Sequence, residues 1–338
     1  MMNVKKRYLI PLLLVLGLCL GFALGPRPDY PSFDASIPSV DIPLTQLDAH
    51  IADQEAGLSL KADNHSRIIW ADSIRQTDYC VVYLHGFSAS PMEGDPLHRE
   101  FAKRYGCNLY LPRLAGHGIQ GTEVFKDLTP AELIASAKEA LAIGKLLGKK
   151  IILMSCSTGS TLGNYLTANN PGLVHAHLQY SPNIDIADKA SELLTLPWGE
   201  QIARMVVGDY NRFELPEGAE QYWSTQYRVE GLVCLKTLVE ETMTEENIRK
   251  IELPVYVGYY YRDEEHKDNV VSVDAIRWFY ETVSTPDDQK RIDTYPNVDT
   301  HVGINHFQSK DLDDVRQKTW RYAEEVLKLP VSTPVITD

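Results

Sequence analysis

The most informative segment of the chain reads Ile151-Ile152-Leu153-Met154-Ser155-Cys156-Ser157-Thr158-Gly159, and a helix-compatible run continues from it to Leu166. Its apolar start predicts a buried β-strand, and the small residues that follow predict a sharp turn into a helix. Such a turn lifts its apical serine out of the backbone, and the helix N-terminus supplies N–H groups for a developing negative charge. Ser157 is therefore a candidate nucleophile, and the N–H of Thr158 is a candidate oxyanion donor.

The turn matches four of the five positions of the G-x-S-x-G nucleophile elbow, with Ser155 in place of the first glycine. Small residues are needed at such a turn because larger side chains would strike the neighbouring strand or helix. Taken alone the match is weak, since a serine between a strand and a helix is more often an ordinary N-cap. The match gains significance only if the rest of the chain supplies the other groups that such a nucleophile needs.

A second buried strand is predicted upstream, from Cys80 to Leu84, and it leads into His85-Gly86-Phe87. A glycine directly after a strand lets the backbone pass close to a ligand, so the N–H of Phe87 would be the second oxyanion donor beside Thr158. The alternative is an ordinary turn at a strand end. In either case His85 is expected to hold the loop and to move no proton.

Two later strands are each followed by a polar loop. The first is predicted over Leu253 to Tyr260, before a polar stretch that ends at Asp268. The second is predicted over Arg291 to Tyr295 and is followed by a turn that contains His301. The chain therefore carries serine, acid and histidine in the order expected for a strand–turn–helix nucleophile.

Together these segments resemble the α/β-hydrolases of the esterase and lysophospholipase-like kind. The resemblance covers roughly residues 56–328 and rests on His85-Gly86-Phe87, the Ser157 elbow, the loop Leu111 to Gly118, Asp268-Asn269-Val270-Val271 and His301-Val302. It implies a mostly parallel central sheet flanked by helices, with a helical lid over the active site. It also implies a catalytic triad of Ser157, Asp268 and His301.

Both triad partners have rivals nearby in the sequence. His306 competes with His301, which is favoured because it follows the last strand after a short turn and carries the His-Val pair. Asp263 and Glu264 compete with Asp268, whose carboxylate comes just before the apolar residues that would dock a helix starting near Val273. These alternatives are open at the level of sequence.

Strand and helix alternate through most of the chain, which predicts a largely parallel sheet. We expect hydrolase core at residues 56–184 and 251–330, a helical lid at 185–250 and a disordered tail at 331–338. Residues 26–55 carry several prolines and little periodicity, and are expected to form an extended tether. Phe213 and Trp223 in the lid could line an acyl pocket, or could only pack the lid onto the core.

Residues 1–25 are expected to be a membrane anchor or a signal peptide. Lys5-Lys6-Arg7 precedes an uncharged run from Tyr8 to Gly25, long enough as a helix to approach the roughly 30 Å hydrocarbon core of a bilayer. Pro26 follows the possible cleavage site and would hinder cleavage, which favours an uncleaved anchor. Either way the catalytic domain would lie outside the cytoplasm, held at the outer face of the inner membrane or secreted after cleavage.

The composition narrows the possible partners. A formal net charge of −13 argues against nucleic acid, because no basic stripe is available to neutralise phosphates. His175-Ala176-His177 offers two imidazoles but no third ligand nearby, and no nucleotide-binding glycine motif occurs, so neither metal nor cofactor is expected. The scattered cysteines are expected to be free thiols.

These observations predict a serine hydrolase that cleaves a small-molecule or lipid-like carboxylic ester through an acyl-enzyme on Ser157. The same triad could instead act on a peptide, a thioester or a carbon–carbon bond, because the fold does not decide among these reactions. A rival from another class is a catalytically silent interaction module on a hydrolase scaffold. Such a module would have no need of serine, acid and histidine in this order.

Overall fold

The computed structural model describes residues 4–28 and 32–332, with only the backbone for residues 4–10. The strands are β1 Arg67–Ile69, β2 Thr77–Leu84, β3 Asn108–Leu111, β4 Gly148–Cys156, β5 Ala176–Tyr180, β6 Tyr210–Arg212, β7 Gln226–Arg228, β8 Val255–Tyr259 and β9 Lys290–Thr294. The helices are α1 Val4–Ala23, α2 Leu44–Glu55, α3 Leu97–Tyr105, α4 Pro130–Leu147, α5 Thr158–Asn169, α6 Gly199–Val207, α7 Glu230–Thr242, α8 Glu245–Ile248, α9 Val273–Thr282 and α10 Leu312–Glu325.

Seven of the strands form one sheet in the order β1-β3-β2-β4-β5-β8-β9. β1 runs antiparallel to β3, and the other neighbours pair in parallel, which confirms the predicted mostly parallel sheet. β4 is central, and its residues from Ile151 to Met154 are buried because helices cover both faces of the sheet. The carboxyl ends of the parallel strands meet at one edge, where the loops after β2, β4, β8 and β9 converge.

Local sequence explains how the covering helices begin. Thr129 caps α4 by accepting a hydrogen bond from the N–H of Glu132, whose side chain bonds back to the Thr129 N–H, and Pro130 occupies the first turn. The apolar stripe of α4, including Leu133 and Leu141, is then buried against the sheet.

The predicted tether is wrong for residues 44–55, which form α2. Leu47 and Ile51 are buried on one face of this helix, and Glu55 at its end forms an ion pair with Arg113 at 2.8 Å. Both charged side chains are about one-tenth exposed (10% and 9%), so the helix is firmly attached to the core. Two apolar residues four positions apart are enough to dock this otherwise polar segment. So few apolar positions do not make a recognisable helical pattern in the sequence, which is why the helix was not predicted.

The predicted lid region, residues 185–250, is helical over Lys189–Thr195, α6, α7 and α8. It also contains an antiparallel ribbon of β6 and β7, which was not predicted because strands of three residues are too short to show an alternating pattern. The lid is attached to the core near the loop after β2, where the Ser224 N–H donates to the Ser88 carbonyl at 2.7 Å.

At the N-terminus, α1 exposes its apolar side chains from Leu12 onward. Within residues 4–28 and 32–332, none of the helices combines the length and the apolar content that crossing a bilayer requires, so the predicted membrane-spanning anchor is not found there. The predicted disordered tail lies outside the described residues from position 333 onward.

Candidate active site

Ser157 lies between β4 and α5 with φ 50° and ψ −118°, a backbone conformation that residues other than glycine rarely adopt. Its N–H donates to the carbonyl of Tyr180 at 3.0 Å, and its own carbonyl accepts from the N–H of Asn183 at 3.1 Å. These bonds from the end of β5 hold the strained turn in place. Strain maintained in this way is common where a side chain has to be presented for chemistry.

The glycine of the turn has a clear steric reason. A Cβ atom on Gly159 would lie 2.0 Å from the carbonyl oxygen of Leu84 on β2, so any larger residue would push α5 off the sheet. The predicted strand, sharp turn and helix are thus all present at this site.

Ser155, the residue that departs from the elbow pattern, is accommodated by a buried polar network. Its Oγ lies 2.8 Å from Oγ of Ser160 and 2.8 Å from Nε2 of His177. The histidine in turn packs against Gly163 of α5, where a Cβ would lie 2.6 Å from its ring. A serine therefore fits where the pattern has glycine.

The Ser155–His177 hydrogen bond makes a second candidate serine–histidine pair, whose serine lies two residues before Ser157. Ser155 is fully buried, and no partner of Nδ1 of His177 is found among the described residues. Burial lowers the pKa of His177 to about 3, which makes its imidazole a poor base at neutral pH. These properties favour a structural role for this pair.

Asp268 and His301 are brought together from the loops after β8 and β9. The Nδ1 atom of His301 lies 2.7 Å from Oδ2 of Asp268, and the carboxylate is buried. The other carboxylate oxygen accepts the N–H groups of Val270 at 2.9 Å and Val271 at 3.2 Å. These two bonds fix the orientation of the carboxylate toward the imidazole.

The surroundings of His301 favour its protonated form. Burial alone would lower the pKa of the imidazole, but the charge and the hydrogen bond of Asp268, with the charge of Glu93, outweigh burial and raise the pKa above its ordinary value. Ser181 donates its hydroxyl to the His301 carbonyl at 2.7 Å, which ties this loop to the end of β5 beside the Ser157 turn.

The rival acids and base lie elsewhere. Asp263 is half-exposed and bonds Nδ1 of His266 at 2.8 Å, while Glu264 pairs on the surface with Lys267. His306 is partly exposed, and its Nδ1 lies 3.2 Å from the Asp95 carbonyl. None of these three has a recorded contact with Asp268 or His301.

The loop after β2 passes directly beside Ser157. A Cβ on Gly86 would lie 3.1 Å from Cβ of Ser157 and 2.7 Å from Oε1 of Glu93, so a glycine lets the backbone approach Ser157 this closely. His85 holds the loop: its Nε2 accepts the N–H of Leu114 at 3.0 Å, and Nδ1 lies 2.9 Å from the Gly86 carbonyl. Across the described residues, the backbone N–H of Phe87 donates no hydrogen bond, which leaves this donor available.

Aromatic side chains close over this loop. Phe87 packs against Phe125 and Tyr227, with ring centroids 4.6 Å and 5.6 Å apart, and Phe213 of the lid packs on Tyr227 at 6.4 Å. Trp223 is 4% exposed and belongs to the core beneath the lid. Phe213 thus lies at the edge of the aromatic cover, whereas Trp223 packs the lid onto the core.

Two residues near the site were not anticipated, namely Phe125 and Glu93. Phe125 follows the loop from Leu111 to Gly118, and only three-dimensional contacts show that it covers Phe87. Glu93 is a buried carboxyl whose side chain bonds the Gly86 N–H at 2.7 Å. The available signal was an acidic residue, followed two positions later by Asp95, among the small and apolar residues after Phe87.

The candidate ligand groups of the sequence do not converge. His175 stacks on Tyr79 at 5.5 Å while His177 bonds Ser155, and over the described residues no group of three or more histidine, cysteine, aspartate or glutamate side chains could hold a metal ion. The five cysteines are free.

Solved structures resemble this one, although no known family is matched by the sequence and no curated protein is significantly similar to it. One match is from a study of LipS and LipT, two metagenome-derived lipolytic enzymes, with a TM-score of 0.64, 15% identity and coverage of 78% of this chain and 98% of the other. Est1E from Butyrivibrio proteoclasticus with bound ferulic acid matches with a TM-score of 0.54, 15% identity and coverage of 78% and 95%. The monoacylglycerol lipase of Paleococcus ferrophilus matches with a TM-score of 0.53, 12% identity and coverage of 76% and 97%.

At these identities the likeness concerns the fold. The mostly parallel sheet and the strand–turn–helix at Ser157 agree with it, as the sequence resemblance predicted. The protein has the α/β-hydrolase fold, and lipases and esterases are among its structural neighbours.

Proposed function

We propose that the protein is a serine hydrolase that cleaves carboxylic esters through an acyl-enzyme on Ser157. The observation that carries the proposal is the combination of Ser157 at a strained turn with a buried Asp268–His301 pair at the same sheet edge. A strained serine alone is compatible with a capping role, but a buried carboxylate bonded to the imidazole is the arrangement that a general base needs.

In the proposed mechanism His301 accepts the proton of the Ser157 hydroxyl through Nε2 as the oxygen attacks the ester carbonyl. Asp268 keeps the other ring nitrogen, Nδ1, protonated and stabilises the imidazolium that forms. The backbone N–H groups of Phe87 and Thr158 stabilise the negative oxygen of the tetrahedral intermediate. The imidazolium then protonates the leaving alcohol, and a water activated by His301 hydrolyses the acyl-enzyme.

The same groups would also serve cleavage of a peptide, a thioester or a carbon–carbon bond. An ester is favoured because structural neighbours are described as lipolytic enzymes and as a monoacylglycerol lipase. The aromatic cover above Phe87 favours an apolar substrate, since burying apolar groups against it is stabilising. A catalytically silent module has no use for a buried carboxylate aligned on a histidine.

We also propose that the N-terminal segment holds the catalytic domain at the outer face of the inner membrane. Leu12 to Leu20 of α1 are largely exposed, and the lid exposes Met205 and Val206 by 78% and 77%. Trp198 of the lid donates its indole N–H to the Gly21 carbonyl at 3.0 Å, so these two apolar surfaces adjoin. A lipid surface would cover both. Secretion after signal cleavage is the alternative.

The proposal is tested by labelling with a fluorophosphonate, which reacts with activated serines. We expect labelling of the wild-type protein at Ser157 and hydrolysis of para-nitrophenyl acetate, with both lost in Ser157→Ala. Ser155→Ala is the matched control, because it removes the serine of the second serine–histidine pair two residues away. Loss of labelling in Ser155→Ala with retention in a folded Ser157→Ala would overturn the assignment of the nucleophile.

A further inference from the structure

The loop after β2 encloses a second buried carboxyl group that the mechanism above does not use. Glu93 lies in the short 3₁₀ turn Pro91–Gly94 and is 1% exposed. Its Oε2 accepts two hydrogen bonds, one from the Gly86 N–H at 2.7 Å and one from the Tyr83 hydroxyl at 2.8 Å. Burying a carboxyl group is costly, so its retention beside the nucleophile calls for an explanation.

Gly86 lies between this carboxyl and the nucleophile. A Cβ on Gly86 would meet Oε1 of Glu93 at 2.7 Å on one side and Cβ of Ser157 at 3.1 Å on the other. The hydrogen bond from the Gly86 N–H therefore fixes the His85–Gly86 peptide, which directly precedes the Gly86–Phe87 peptide that carries the Phe87 N–H. Because the N–H of Phe87 is the proposed oxyanion donor, a shift at Gly86 would change where that donor points.

The turn that carries Glu93 is also connected to the loop of the proposed base. Asn305, four residues after His301, donates its side-chain amide to the carbonyls of Glu93 at 3.1 Å and Met92 at 3.3 Å. Asn305 is itself fully buried. Glu93 is thus held between the oxyanion loop and the His301 loop.

We propose that Glu93 is a positioning residue that aims the Phe87 N–H at the oxyanion and, as a carboxylate, supports the imidazolium of His301. This inference deepens the proposed function and rests on it. The hydrogen bond acts on the geometry of the donor, and the negative charge acts on the protonated base. The oxyanion and the imidazolium both develop in the transition state, so both effects act there, which is when they accelerate the reaction.

The charge state of Glu93 makes the proposal measurable. Burial raises the pKa of Glu93 to about 7, against the opposing effects of the Gly86 N–H, the Tyr83 hydroxyl, His301 and the Cys156 thiol. His98 of α3 lies beside Tyr83 and stays neutral, because burial lowers its pKa to about 3. The carboxylate form is therefore lost as the pH falls through about 7.

Glu93→Gln keeps the size and an acceptor oxygen but removes the charge. With para-nitrophenyl acetate we expect kcat to fall on the order of tenfold to a hundredfold with little change in KM, less than the loss of a whole oxyanion donor. The pH at which activity rises should move downward, because His301 loses a negative neighbour. Glu264→Gln makes the same charge change at an exposed site and should leave kcat and the pH profile unchanged.

Tyr83→Phe supplies a second test that leaves the carboxyl in place. Removing this donor raises the pH that is needed to ionise Glu93, and the ionised form is the more active one, so the rise in activity should move to higher pH, the opposite direction from Glu93→Gln. In the Glu93→Gln background, adding Tyr83→Phe should cause no further change in the pH at which activity rises. If Glu93→Gln does not fold, the upward shift in Tyr83→Phe alone supports the proposal and its absence contradicts it.

The two proposals fail separately. Wild-type kcat and pH profiles in folded Glu93→Gln and Tyr83→Phe would overturn the role of Glu93 while labelling at Ser157 persists. Absence of labelling at Ser157 in the wild-type protein would instead overturn the proposed function itself.

Discussion

His301 and Asp268 are 33 positions apart in the chain, yet Nδ1 of the imidazole lies 2.7 Å from Oδ2 of the carboxylate. Neighbouring parallel strands β8 and β9 end at the same edge of the sheet, so the loops that follow them have to meet there. The second carboxylate oxygen is committed to the N–H groups of Val270 and Val271. With Oδ1 held in this way, Oδ2 of the carboxylate faces the imidazole of His301.

Replacing this carboxylate tests its role. Asp268→Asn should lower kcat for para-nitrophenyl acetate on the order of 10⁴-fold, because the amide would favour the wrong histidine tautomer. Asp263→Asn is the matched control, since this half-exposed carboxylate bonds His266 and should leave the rate unchanged. A loss of that size in Asp263→Asn, with activity kept in Asp268→Asn, would contradict the assignment.

The pH dependence of kcat/KM should report His301. Its pKa is raised by Asp268 and Glu93 despite burial, and the base acts only when neutral, so activity should rise with pH through a midpoint above 6.5. The raised pKa also means that the contribution of His301 to stability is present at low pH and is lost as pH rises through this midpoint. His301→Ala should abolish hydrolysis.

His306→Ala is the control for that experiment. The side chain of His306 is 41% exposed and faces Asp95, so its loss should leave both the rate and the midpoint unchanged. Full activity in His301→Ala together with loss in His306→Ala would reverse the assignment of the base.

Much of the fold and of the site follows from short-range patterns. The apolar run before Ser155 predicted the central strand, and the resemblance carried by Asp268-Asn269-Val270-Val271 and His301-Val302 favoured Asp268 and His301 over their neighbours in the sequence. What escaped prediction depends on contacts distant in sequence. Leu47 and Ile51 dock α2 onto the core, and the turn that carries Glu93 is tied to the loop after His301 by Asn305, 212 positions further along the chain.

The attachment of α2 gives a prediction for stability. Glu55→Ala should destabilise the fold by about 3–5 kcal/mol, because it leaves the guanidinium of Arg113 buried without its partner. Chemical denaturation measures the change. Glu245→Ala removes an exposed ion pair with Arg249 on α8 and should cost no more than about 1 kcal/mol. Equal effects of the two substitutions would contradict the buried ion pair as the attachment of α2.

The proposed attachment of the N-terminal segment predicts its retention. Mass spectrometry of the membrane fraction should detect a peptide that contains Leu12 to Leu20, because Pro26 hinders signal cleavage after Gly25. Pro26→Ala should raise the fraction of shortened, released protein. A soluble wild-type protein that starts near Pro26 would rule out attachment and leave export standing.

The lid should set acyl preference without contributing to the chemistry, because the triad and both oxyanion donors come from outside residues 185–250. Phe213 lies at the edge of the aromatic cover. In the wild-type protein, each added methylene along a series of para-nitrophenyl esters should raise kcat/KM by up to about fourfold, and this increase should become smaller in Phe213→Ala. Cleavage of the acetate ester should persist, since Phe213 supplies none of the proposed triad or oxyanion groups.

Trp223 should behave differently because it is 4% exposed and packs the lid onto the core. Trp223→Ala should lower the free energy of unfolding by about 3–5 kcal/mol, measured by chemical denaturation. This loss is expected whether or not the substitution also changes the preferred acyl-chain length. Trp278→Ala, at an exposed position on α9, is the matched control and should change neither the free energy of unfolding nor the acyl-chain preference. If folded Phe213→Ala loses acetate hydrolysis as completely as Ser157→Ala, the lid supplies a group that the chemistry requires, and its role is not limited to binding.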